Sequence, residues 1–222
     1  MKSIVVKREY LPSIANQDKF INAIQLGRIV GAIRCNNILQ GEKIADDESN
    51  LTLRVYLLLN HAALLFEGIK TFHGAKSDYA DLPYYKENDH RIGLLEIEFI
   101  NPESFSNVVL KKIRNKIAFH FDKDVITSIL RKLVEDSTKE NKDVVLISGR
   151  SALVKDTAYI LADNVNINFV LESIEGKDLE QEEKFKMLAK KLLDLSALFC
   201  NVIEGMIPDL IDEYCETKEE ED

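Results

Sequence analysis

Apolar positions recur at three- and four-residue steps over much of the chain's first half, the spacing of one helix face. In residues 16–39 they are Ala23, Leu26, Val30 and Ile33, with Gly41 just beyond as a stop. Residues 50–72 repeat the pattern with Val55, Leu58, Ala62, Leu65 and Ile69, behind an Asn50 able to cap the start. A third helix is predicted from Ser104 or Ser106, carried by Val109, Ile113 and Ile117. A fourth is predicted from Asp122 or Asp124, carried by Val125, Ile129 and Val134, with Leu130 and Leu133 widening its stripe. Between the second and third, residues 73–103 hold Gly74, Pro83, the Tyr84-Tyr85 pair and a polar cluster, and read as a long connection. Within it the run LLEIEFI, residues 94–100, reads as a short strand.

Beyond residue 138 the period changes. Residues 144–148 form a compact β-type run ended by Gly149, and 157–161 supply a partner for it. Residues 162–174 are read as helix, although Val165, Ile167, Phe169 and Leu171 also alternate as a strand would. Residues 178–214 predict a long helix or helix pair with Pro208 at a kink or boundary, and the final ETKEEED reads as a frayed acidic tail. Four amphipathic helices bury their stripes most simply against one another. The predicted fold is therefore mainly α. A four-helix up-and-down bundle occupies residues 1–138, and residues 139–222 form a small β element and a C-terminal helical extension packed on the bundle.

Composition narrows the function classes. Of 222 residues, 45% are apolar and 30% charged, a globular profile rather than a disordered one. No apolar run approaches the roughly 18 residues needed to span a bilayer, so no membrane partner is expected. The N-terminal MKSIVVKREYLPSI lacks the form of a secretory signal, and Cys35, Cys200 and Cys215 lack metal-type spacing. They read as reduced thiols, and the expected location is cytoplasmic. The net charge of −9 argues against indiscriminate binding to nucleic acid. Its distribution changes that picture. Between Ser104 and Lys132, seven basic residues against Asp122 and Asp124 give +5, so the other residues together carry −14.

The chemistry concentrates in that window, at KKIRNKIAFHFD, residues 111–122. Arg114, Asn115 and His120 supply a guanidinium, an amide and the side-chain type that titrates near neutrality. These are the parts needed to cleave RNA without a metal. An imidazole activates the 2′-hydroxyl or protonates the leaving oxygen, and a guanidinium stabilises charge on the phosphoryl oxygens. On a continuous helix six residues place Arg114 and His120 about 120° apart, so they converge only if the helix ends between them or a second chain completes the site. The capping type of Asp122 favours a helix end there.

The run RNKIAFH between two bundle helices resembles the Arg-x(4–6)-His motif of HEPN domains, with Asn115 at the polar position after the arginine. The resemblance would cover about residues 16–138. It implies a four-helix bundle, a homodimer, and a metal-independent ribonuclease of toxin–antitoxin or anti-phage systems. It further implies Arg114 and His120 as catalytic residues and Asn115 as their support, while the local charge excess makes Lys111, Lys112 and Lys116 the expected RNA-binding cations. RNA is the expected partner, and an antitoxin or another protein partner is left open. In the subgroup inactivated by nucleotidyltransferase antitoxins a tyrosine lies two residues after the histidine. Here that position is Asp122, which speaks against that route. The same motif occurs in non-catalytic scaffolds, so a scaffold or a nucleotide- or RNA-binding protein is the alternative. A single imidazole in the motif also favours two copies facing each other across a two-fold axis, one supplying the base and the other the acid.

Other candidates are weaker. Arg54 and His61 share a helix face, with Asn60 beside them, and read as a satisfied polar cluster. Asp89-His90-Arg91 reads as solvated loop, and Asn164, Asn166 and Asn168 as a helix surface. No metal or cofactor is expected, since no phosphate-binding glycine loop, zinc ligand set or serine nucleophile motif occurs.

Overall fold

A computed structural model describes residues 2–6, 17–41, 48–118, 148–149, 157–158, 170–172, 179–211 and 215–219, with positions 10, 12, 135, 139 and 174 between them. The predicted fourth helix, 122–134, lies outside the described residues, as do Asn164, Asn166 and Asn168. The described chain is mainly helical. In order it forms β1 (Lys2–Val6), α1 (Asp18–Gly41), α2 (Glu48–Tyr79), α3 (Pro83–Glu87), α4 (Asp89–Ile100) and a helical run α5 over residues 106–118. These are followed by β2 (Ser148–Gly149), β3 (Thr157–Ala158), α6 (Gln181–Ile211) and β4 (Cys215–Glu219).

The fold is organised around α2. Its apolar residues are not confined to one stripe. Leu57, Leu58, Leu59, Ala62, Ala63, Leu65, Phe66, Ile69 and Phe72 are all buried, and a helix apolar on every side sits in the interior. α1 lies antiparallel to it. The Tyr79 hydroxyl donates to the Lys19 carbonyl at 3.1 Å, and Ile29 lies beside Gly68. Gly68 is required at that crossing, because a Cβ there would stand 2.5 Å from the Phe199 ring. α6 contributes Leu188, Leu192, Leu195, Phe199, Val202, Ile203 and Met206 to the same core, so residues on both sides of position 138 share one apolar cluster.

The 73–103 connection is corrected. α2 continues to Tyr79, whose fully buried ring holds the last turn down, and Gly74 is accommodated within the helix on an exposed side. Residues 94–100 are helix rather than strand: Ile92 and Leu95 turn inward at helical spacing, with Phe99 half-buried one turn on. Asp89, His90 and Arg91 form the exposed first turn of α4, not a loop. The end of the chain is also corrected, since Cys215–Glu219 pairs antiparallel with β1, Val6 opposite Cys215 and Lys2 opposite Glu219. Of the two β-type runs, the described residues are Ser148 and Gly149, paired with Ala158 and Thr157. α6 runs through Pro208, three residues before its end at Ile211, where the Glu204 carbonyl loses its intrahelical donor.

Candidate functional site

Three contacts place the candidate segment. Lys76 pairs with Glu96 at 2.7 Å, His73 stacks on Phe99 at 4.4 Å, and Glu67 meets Arg114. As the chain ascends from 96 to 114, the partners on α2 descend from 76 to 67. α4 and α5 therefore run in one direction, antiparallel to α2, with a jog between them.

The jog at residues 101–105 is built from side chains that satisfy both helix ends. The Ser104 hydroxyl donates to the Glu98 carbonyl at 2.6 Å and accepts the Asn107 backbone N–H at 3.2 Å, the geometry of an N-cap. The Glu98 carboxylate accepts the Ser106 N–H at 3.0 Å, placing an anion at the positive end of α5. In return the Asn107 amide donates at 2.8 Å to the Phe99 carbonyl, which α4 leaves unpaired at its end, and at 2.8 Å to the Asn101 carbonyl, which also accepts the Ser104 N–H. Ser104 is thus the start of the third predicted helix.

α5 is not a regular α-helix. Residues Ser106–Leu110 and Arg114–Ala118 form π turns on either side of the three α-helical residues Lys111–Ile113. Each π turn accommodates an extra residue and shifts the faces that follow, and such turns gather at functional sites. Val109, Leu110 and Ile113 are buried, so this irregular helix is anchored on its inner side.

Arg114 and Asn115 open the second π turn. The Arg114 Nη1 donates to Asn115 Oδ1 at 3.0 Å, and its Nε stands 2.6 Å from Glu67 Oε1. That contact is an ion pair whose N–H does not point along a hydrogen-bond line. Both side chains are about one-third exposed, so the pair sits at the edge of the core, although the two atoms in contact, Arg114 Nε and Glu67 Oε1, are themselves buried. Lys111 and Lys116 are exposed and Lys112 is half-buried. The structure thus brings Arg114, Asn115 and the three lysines into one segment. His120 lies outside the described residues. Glu67 was not a sequence candidate; its only signal is a carboxylate within an otherwise apolar stretch of α2.

His61 belongs to the interior. Its ring is fully buried, and Nε2 lies 2.6 Å from Ser196 Oγ, which itself donates to the Leu192 carbonyl. Asn60 is exposed and has no part in this pairing, while the side chain of Arg54 lies outside the described residues. Among the described residues no group of three or more His, Cys, Asp or Glu is arranged to hold a metal ion, and no helix is long and apolar enough to cross a membrane. Cys35 is exposed, and burial, with Glu204 adding to it and Arg34 opposing, pushes the half-buried Cys200 thiol up to about 11. Comparison with protein-family models, with curated proteins and with solved structures yields no match.

Proposed function

We propose that the chain is a HEPN-type, metal-independent RNA endonuclease of a toxin or anti-phage defence system, acting in the cytoplasm. The observation that carries this reading is the placement of Arg114 and Asn115 together on a π turn within the basic segment, with Glu67 fixing the guanidinium. The accompanying fold reading is a four-helix bundle with a small β element and a C-terminal helical extension. In the reaction the 2′-oxygen attacks the adjacent phosphorus and gives its proton to an imidazole. The P–O5′ bond breaks and the leaving oxygen takes a proton from an imidazolium, yielding a cyclic phosphate and a free 5′-hydroxyl. The guanidinium stabilises the charge that gathers on the non-bridging oxygens. The roles fall to His120 and Arg114, with the second imidazole supplied by a second copy of the chain.

A non-catalytic scaffold or nucleotide-binding protein is the second reading. The ion pair between Arg114 and Glu67 favours it, since a guanidinium already held by a carboxylate also serves as a tie between α5 and α2. The purified chain incubated with total RNA separates the two. Arg114→Ala and His120→Ala are each expected to abolish cleavage with unchanged circular dichroism, and cleavage is expected to persist in EDTA. No cleavage by the wild type, or cleavage by both variants, rejects the nuclease.

A further inference from the structure

In the free chain the Arg114 guanidinium already meets an anion, and the contact is imperfect. Arg114 Nε and Glu67 Oε1 stand 2.6 Å apart, both atoms are buried, and no hydrogen-bond line joins them. A carboxylate that serves only to position an arginine accepts its N–H in line, because alignment gives such a pair its strength and its geometry. Here charge attraction brings the two atoms together while the polarity of both stays unsatisfied.

The carboxylate has a second cation at hand. Lys70, one turn further along α2, holds its Nζ 3.9 Å from Glu67 Oε2, the other oxygen of the same group. Glu67 thus stands between a guanidinium and an ammonium, one oxygen towards each. Were Arg114 to leave, the carboxylate would keep a counter-charge at Lys70, so the pair can open without stranding a half-buried anion. Counting three residues each way from the Glu67–Arg114 contact sets Lys70 level with the exposed Lys111. Two further cations therefore lie one turn from Arg114. A phosphodiester carries the same single negative charge as the carboxylate, and its two non-bridging oxygens match the guanidinium fork.

We propose that Glu67 is a latch on the site: its carboxylate holds Arg114 in the free chain, yields it to an RNA phosphate, and passes to Lys70. The proposal rests on reading the 111–116 segment as an RNA-binding surface, and it does not require that bound RNA be cleaved. An internal anion at high effective concentration excludes free phosphate, whereas a strand that also engages the neighbouring lysines displaces it.

Fluorescence anisotropy of the full chain with a short single-stranded RNA tests the latch, its sugars 2′-O-methylated so that the 2′-oxygen cannot attack. Glu67→Gln keeps the shape and removes the charge, and should tighten binding roughly tenfold at low salt. The same substitution made beside Arg114→Gln should give no gain, which separates the latch from a general loss of negative charge. Lys70→Gln should weaken binding by the wild type and have little effect beside Glu67→Gln. Weaker or equal binding by Glu67→Gln overturns the proposal, since the carboxylate would then position the guanidinium or merely tie α5 to α2. A gain that persists without Arg114 overturns it, as does an equal loss from Lys70→Gln in both backgrounds. No binding by either the wild type or Glu67→Gln overturns it too. A chain that shows the expected gain on the methylated strand but leaves ordinary RNA uncut rejects the nuclease and keeps the latch.

Discussion

His61 on α2 receives no solvent, and its ring has one defined partner. The Ser196 hydroxyl spends its single proton on the Leu192 carbonyl, so Ser196 Oγ accepts from the imidazole and fixes the Nε2–H tautomer. Nδ1 is left as a buried lone pair with no hydrogen-bond partner among the described residues. Counting seven residues each way from the Ile29–Gly68 contact sets Asn36 level with His61, and the buried Asn36 amide is likewise unpartnered there. Burial opposes protonation of the ring, lowering the pKa from 6.5 to about 4. The unfolded chain therefore binds a proton between these values and the folded chain does not. Stability should fall as pH drops from 6.5 towards 4, by about 3 kcal/mol in total, and level off below. Urea midpoints for wild type and His61→Gln across that range check this, since the variant removes the titration while keeping a donor for Ser196. Equal pH slopes in the two proteins would place the dependence elsewhere. The sequence showed a polar residue on an apolar face. It could not show Ser196, because that partner lies 135 residues away.

At the scale of elements, legibility followed the exposure of the apolar residues. α1 and the start of α5 were readable because their inward residues keep helical spacing and Ser104 is a cap by chemistry. In the middle of α4, Leu95, Ile97 and Phe99 alternate with Glu96 and Glu98 as a strand would. The exposed Leu94, Ile97 and Ile100 on the outer side hide the inward helical spacing of Ile92, Leu95 and Phe99. Those two carboxylates are instead fixed by distant partners, Lys76 and the Ser106 N–H. The jog between α4 and α5 sets the height and rotation at which Arg114 meets Glu67, so its weakest point bears on the site as well as the fold. Asn107→Ala leaves the Phe99 carbonyl without its donor, while the Asn101 carbonyl keeps the Ser104 N–H, and should cost about 1–3 kcal/mol. Ser104→Ala, which loses a cap, should cost about 1 kcal/mol. Chemical denaturation reads both. A larger loss in Ser104→Ala than in Asn107→Ala would reverse the assigned importance of the two ends.

On the scale of the whole molecule, the candidate site was legible where it is local and not where it depends on folding. Arg114, Asn115 and the lysines are neighbours in sequence, whereas Glu67 reaches Arg114 only because α5 lies antiparallel on α2. The charge distribution has the same character. The window from 104 to 132 carries +5 against −14 for the other residues, so the bulk of the chain repels a polyanion and this segment alone attracts one. On the ribonuclease reading, RNA affinity then depends on few phosphate contacts, and each one removed should be visible in the salt dependence. For single strands each neutralised phosphate contributes about 0.7 to the slope of log affinity against log salt. Changing Lys111, Lys112 and Lys116 together to Gln should therefore lower that slope by at most about 2, the ceiling applying if all three contact phosphate. Lys112 and Lys116 already have interactions within the chain, so Lys111, the exposed lysine of the α-helical stretch, should give the largest single change. Fluorescence anisotropy with a short single-stranded RNA across a salt series measures this. The curves should converge at high salt, where contacts to bases and sugars dominate. A triple variant with the wild-type slope would move the RNA surface away from α5, and with it the reason for reading Arg114 as a phosphate ligand.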